Sequence, residues 1–156
     1  MPLRRRGYIW QAIYIYIQYM ARKKTFNVER FFQALGDNTR LRILNLLGDQ
    51  EIWVCYLVEI IGGPQPKISR HLAYLRSAGI VEGRREGRWM HYRIVMPPHI
   101  GAAQILMQTL DWLKDEKAMQ ADRAKLKRAC CAPSKYPLLD GAPLPAPISH
   151  VALEAC

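Results

Sequence analysis

The side chains best equipped for chemistry in this 156-residue chain are its four cysteines, Cys55, Cys130, Cys131 and Cys156. Cys130 and Cys131 are neighbours. Consecutive Cα atoms lie about 3.8 Å apart, below the roughly 4.4 Å at the short end of disulfides, so a bridge between these two would be strained. Lys127 and Arg128 stand just before them, and nearby positive charge favours the thiolate, the species that coordinates. Two adjacent soft thiolates suit a thiophilic, pyramidal As(III) or Sb(III) centre better than Mg²⁺ or Ca²⁺. Inorganic As(III) takes three thiolates, whereas a monomethylated arsenical takes two. Cys156, Cys55 or a thiol of a second subunit would supply the third. The plainer reading of Cys55 is a small buried hydrophobe, the usual fate of a free cysteine. No spaced cysteine framework of the secreted kind is present, which favours reduced thiols in a cytoplasm.

A second constellation is electrostatic. Between Pro64 and Ile94 lie Lys67, Arg70, Arg76, Arg84, Arg85, Arg88 and Arg93, opposed only by Glu82 and Glu86. That is half of the chain's net +10 in about a fifth of its length. Charge concentrated in this way, with a pI near 9.7, is the footprint of a protein that docks on a polyanion. Arg76 and Arg93 read more simply as surface charges or intramolecular pairs.

The elements that must carry these groups follow from periodicity. Apolar residues at 28, 31, 32 and 35 predict a first helix that stops at Gly36, with Asp37 or Asn38 capping a second over Leu41–Leu47. A third is predicted from Trp53 to Ile61, broken by Gly62-Gly63-Pro64. The fourth starts near Pro66. Its apolar side is Ile68, Leu72 and Leu75, and Lys67, Arg70, His71 and Tyr74 lie on another side. Strands are expected over Ile80–Arg84 and Arg88–Val95, then one long helix over Ile100–Lys127. Five prolines from Ala132 onward predict a disordered tail over 129–156. Residues 25–128 form the expected folded domain, and 1–24 an N-terminal extension. The apolar run Tyr8–Met20 is too short to span a bilayer and lacks a cleavage site, and Met20 is the expected translation start. An interfacial anchor or an added strand is the alternative for that run.

Three helices, a reading helix and a basic hairpin make a mainly α fold with a two-stranded β wing, a winged helix-turn-helix. The stretches Ala34-Leu35-Gly36-Asp37-Asn38-Thr39-Arg40-Leu41-Arg42-Ile43-Leu44, Ser69-Arg70-His71-Leu72 and Arg84-Arg85-Glu86-Gly87-Arg88 with Tyr92 closely resemble the ArsR-type (ArsR/SmtB) metalloregulatory repressors. The resemblance implies a homodimer through the first and last helices, double-stranded operator DNA as partner, and release of that DNA by an inducer. It places Gln65, Ser69 and His71 at bases, and Arg70, Arg84, Arg85 and Arg88 at phosphates, with Lys67 and Tyr74 on the same DNA-facing helix. Arsenic-responsive members carry Glu-Leu-Cys-Val-Cys-Asp-Leu in the third helix. Here the segment is Glu51-Ile52-Trp53-Val54-Cys55-Tyr56-Leu57, so one thiol is missing. The Cys130-Cys131 segment looks like the C-terminal cysteine pairs of some arsenic sensors, making Cys130, Cys131 and Cys156 the expected ligands, with Cys55 as a further candidate. The dimer helix has no histidine, which argues against the family's usual zinc set. A thiol–disulfide switch on the same scaffold is the competing reading. Enzyme signatures are missing: there is no phosphate-binding glycine loop and no HExxH.

Overall fold

The computed structural model describes residues 26–147. The expectations for residues 1–24, Met20 included, and for Cys156 lie outside the described residues. Asn27 accepts a hydrogen bond from the Arg30 backbone at 2.8 Å and starts α1, Val28–Leu35. Asp37 does the same for α2, Asn38–Leu47, through the Arg40 N–H at 2.9 Å. Arg40 then reaches back to the carbonyls of Ala34 (2.9 Å) and Gln33 (2.7 Å), satisfying the C-terminal end of α1. After β1 (Gln50–Trp53) come α3 (Val54–Ile61), α4 (Gln65–Ser77), β2 (Val81–Glu86) and β3 (Trp89–Ile94). The chain continues with α5 (Ile100–Asp115), α6 (Lys117–Cys131), two 3₁₀ turns at 133–135 and 137–139, and β4 (Ala146–Pro147).

The result is mostly helical with a small antiparallel sheet following the helix-turn-helix, as a winged helix requires. The strand order is β2-β3-β1-β4. The wing pairs Val81 with Ile94 and Glu86 with Trp89, turning through Gly87 at φ +58, a conformation glycine adopts without strain. At Gly83 a Cβ would meet the Tyr92 ring at 2.7 Å, so glycine is required where the ring crosses β2. Beneath the sheet, Phe31, Ile43, Leu44, Tyr56, Leu72 and Leu106 are buried at the centre of one core.

Three expectations change. Residues 50–53, of which Trp53 was expected to begin the third helix, form β1, because Ile52 and Trp53 pair with Tyr92 and His91 of β3. A four-residue strand is too short to show a period. The long final helix is two helices, with an extended residue at Glu116 (ψ 125) where no glycine or proline marks a break. Tertiary bonds make this break. Gln120 and Arg123 donate to the Lys114 carbonyl at 3.0 and 2.7 Å, and Asn45 Nδ2 donates to the Met119 carbonyl at 3.0 Å. Finally, the expected disorder does not hold over 129–147. Ala129 is buried within α6, Pro133 and Pro137 open 3₁₀ turns, Leu139 is buried, and β4 pairs with β1. Proline's fixed φ suits the first residue of a helical turn, so these prolines start structure here.

Candidate nucleic-acid interface and cysteine sites

Helix α4 is held from below by Ile68, Leu72 and Leu75, all fully buried. Gln65, Lys67 and Arg70 are exposed and Ser69 is half-buried, so these four lie where a reading face needs them. The exposed side runs on through Ala73 to Arg76, which the sequence reading had set aside as simple surface charge. His71 and Tyr74 do not share it. Tyr74 donates its hydroxyl to Gln33 Oε1 at 2.6 Å and carries the Arg40 guanidinium 4.5 Å over its ring. His71 Nδ1 lies 3.4 Å from Asp37 Oδ1. Burial lowers the His71 pKa, and the charges of Arg40, Lys67 and Arg70 add to that against the pull of Asp37. For Asp37 burial acts upward, but the Arg40 backbone bond, the charges of Arg40 and His71 and the Thr39 backbone bond together hold its carboxyl low. These two α4 side chains therefore fasten the helix to α1 and α2.

On the wing Arg85 and Arg88 are exposed. Arg85 Nε donates to the Gly87 carbonyl at 3.1 Å, and Arg88 stacks 4.7 Å over Trp89. Arg84 is exposed too, but it pairs with Glu51 and Glu86, each at 3.4 Å. Arg93 pairs with Glu82. The sequence reading missed His91. It is only 1% exposed, 4.5 Å from the Trp53 ring and 2.6 Å from Glu51 Oε1, a close pair without hydrogen-bond geometry. In sequence it alternates with Met90, Tyr92 and Ile94 on the other side of the strand; in the fold Trp53 of β1 pairs with it and packs its ring against it.

Cys55 lies in the first turn of α3 and Cys130 in the last turn of α6. Both are free and half-buried, and both pack against the core. Burial pushes both thiols up. The lowering expected from Lys127 and Arg128 is absent, because both of those residues are exposed and their charge is screened by water. Cys131 is exposed and disulfide-bonded. Among the described residues no cluster of three or more His, Cys, Asp or Glu side chains has metal-holding geometry. Cys130 also lines a cavity of about 800 Å³ between α2, α5 and α6.

The sequence profile described as bacterial regulatory protein, arsR family, matches residues 37–83, from the cap of α2 into β2. The arsenical resistance operon repressor of Escherichia coli (strain K12) is 39% identical over 104 residues, covering 66% of this chain and 87% of that protein. The chain belongs to the ArsR family. A second relative, the arsenic resistance transcriptional regulator ArsR1 of Pseudomonas putida, is 48% identical over 64 residues, 40% of this chain and 50% of its own length. A cadmium resistance transcriptional regulatory protein (CadC homolog) of Staphylococcus aureus is 33% identical over 76 residues, 48% of this chain and 63% of its own length. This ArsR-family chain is thus a DNA-binding, metal-responsive transcriptional repressor and not an enzyme. Among the described residues no helix is long and apolar enough to cross a membrane.

Proposed function

We propose that this repressor works in the cytoplasm as a homodimer and releases its operator when trivalent arsenic or antimony is captured by cysteine thiolates at the end of α6. The ligands are Cys130 and Cys131, with the third thiolate from Cys156 or Cys55. The observation that carries this reading is how α6 is tied to the helix-turn-helix. Asp122 of α6 holds Arg42 of α2 through paired bonds of 2.6 and 2.8 Å, and Arg42 also donates to the Ile61 carbonyl at 3.3 Å. Ile61 is the last residue of α3, immediately before the Gly62-Gly63-Pro64 turn into α4. A pull on α6 therefore reaches the start of the reading helix. Losing tenfold in operator affinity takes only about 1.4 kcal/mol of such coupling.

In this reading Gln65, Lys67, Ser69 and Arg70 address the major groove. Arg85 and Arg88, with Arg84 as a weaker contributor, hold phosphates, and His71 and Tyr74 set the angle of α4. Dimer formation is supported by apolar side chains left in solvent on α1 (Val28, Phe32) and α5 (Ile100, Ile105, Met107, Trp112).

The test is fluorescence anisotropy of operator-bound protein titrated with arsenite, antimonite, Cd²⁺ and Zn²⁺ under reducing conditions. Arsenite and antimonite should release DNA at the lowest concentrations, and Cys130→Ser should bind operator but not release it with arsenite. Release by Cd²⁺ or Zn²⁺ with arsenite inert would overturn the metalloid assignment. The disulfide at Cys131 favours a second reading, a thiol–disulfide switch. Mass spectrometry separates the two, since oxidation to a disulfide removes two hydrogens and capture adds arsenic.

A further inference from the structure

The cavity of about 800 Å³ between α2, α5 and α6 has the size of a small-molecule site, and none of the α4 or wing residues assigned to DNA lines it. Its walls are apolar. Leu47 and Leu126 are buried, and Met107, Leu110 and Leu144 complete them. Protein interiors otherwise pack to nearly crystalline density, so an open apolar hollow of this size calls for an occupant. The mouth is charged. Lys114 is spent on Asp111 at 2.7 Å. Arg123 gives one Nη to the Lys114 carbonyl, and among the described residues neither Arg123 nor Lys127 meets a carboxylate. These two cations stand four positions apart on α6, the spacing that puts side chains on one side of a helix. Leu126, between them in sequence, lines the same cavity. Asp49 is the remaining charged residue of the lining, which leaves the mouth at net +1. A neutral apolar molecule would leave Arg123 and Lys127 unused, and an organic cation would be repelled by them. An amphipathic anion answers both the walls and the mouth.

We propose that this cavity binds an organic monoanion, an apolar long-chain or aromatic acid, with its body between α2, α5 and α6 and its anionic group between Arg123 and Lys127. The guanidinium and the ammonium each donate to an oxygen of that group, and the apolar body leaves water for the leucine-lined walls. Binding is non-covalent and uses no thiol, so it stands apart from the metalloid reading and from the state of Cys131. The occupant touches α2 of the helix-turn-helix and α6, whose Asp122 holds Arg42. It also touches α5, which carries the apolar side chains left in solvent.

The test uses the full chain with no arsenical present and anilinonaphthalene sulfonate, an aromatic anion that fluoresces in apolar surroundings, as the probe. One probe molecule should bind per protomer. Decanoate should displace it at lower concentration than decanol, and decyltrimethylammonium should be the weakest competitor, an order read on wild-type protein and independent of how any variant folds. Arg123→Gln and Lys127→Gln should each weaken decanoate by about tenfold, the scale of one charge-assisted hydrogen bond, and leave decanol unchanged. Leu110→Trp, which fills the cavity, should abolish probe binding. Lys127 is exposed, so Lys127→Glu tests the mouth without disturbing the core and should weaken decanoate further than Lys127→Gln. A displacement order indifferent to charge, or decanoate binding unchanged in the Lys127 variants, would overturn the proposal. So would probe binding that appears only on dilution to monomer, which would make the cavity a seat for a second copy of the chain.

Discussion

Replacing Arg42 by Met should destabilise this protein clearly more than replacing Asp122 by Ala, although both break the same ion pair. The two partners sit in different surroundings. The Asp122 side chain is 4% exposed and receives both Arg42 bonds, at 2.6 and 2.8 Å. The Arg42 side chain is 24% exposed and keeps a bond to the Ile61 carbonyl. Stranding a sealed charge costs about 3–5 kcal/mol, so Arg42→Met belongs in that range. Asp122→Ala leaves a guanidinium with access to water and one remaining acceptor, which reduces the cost to about 1–2 kcal/mol. For a chain of this length each kcal/mol moves the melting temperature by about 2–4 °C. Expected drops are then about 6–20 °C for Arg42→Met and about 2–8 °C for Asp122→Ala. The double variant Arg42→Met/Asp122→Leu, which strands nothing, should return to within about 1 kcal/mol of wild type. The assay is thermal melting by circular dichroism at fixed protein concentration. Equal losses in the two single variants, or a double variant as weak as Arg42→Met, would refute the reasoning.

Two further outcomes follow from the DNA-facing side. In operator titrations against salt, Arg85→Ala and Arg88→Ala should each flatten the slope of log K on log [salt] by about one phosphate's worth, about 0.9. Arg84→Ala should change it less, because Arg84 is already paired with Glu51 and Glu86; equal slopes for all three would contradict this. His71 titrates below its ordinary 6.5 in the fold, so the neutral form is favoured there. Its contribution to stability is complete above about pH 6.5 and is lost as pH falls through the lowered folded value. Asp37, also lowered, adds a second loss that begins below its ordinary 3.8. Melting temperature should therefore fall on going from pH 7 to about pH 5, and His71→Asn should flatten that fall. A variant with the wild-type pH profile would place the titration elsewhere.

The reading helix was legible because its information is local. Ile68, Leu72 and Leu75 recur at helical spacing, and Lys67, Arg70 and Gln65 fall outside that stripe. His71 and Tyr74 have the same spacing, yet they turn toward Asp37 and Gln33. Periodicity tells which side of a helix a residue is on, but not which neighbouring helix stands there. The electrostatics of the thiols were misjudged for a related reason. Lys127 and Arg128 are close to Cys130 in sequence, but their charges project into water while the thiol faces the core.

By itself the sequence determined the helix order, the basic wing, the family and the loss of a thiol at Trp53. These depend on residue type and on spacings of a few positions, over which backbone geometry is nearly fixed. Tertiary structure alone decided the rest. It paired β1 with β3 and so buried His91, broke the last helix at Glu116, and ordered the chain past Ala129. It also joined Asp122 to Arg42, 80 residues away, and packed Cys130 against the core. Each of these comes from contacts between distant segments, whose energy outweighs a weak local preference only once the core has formed.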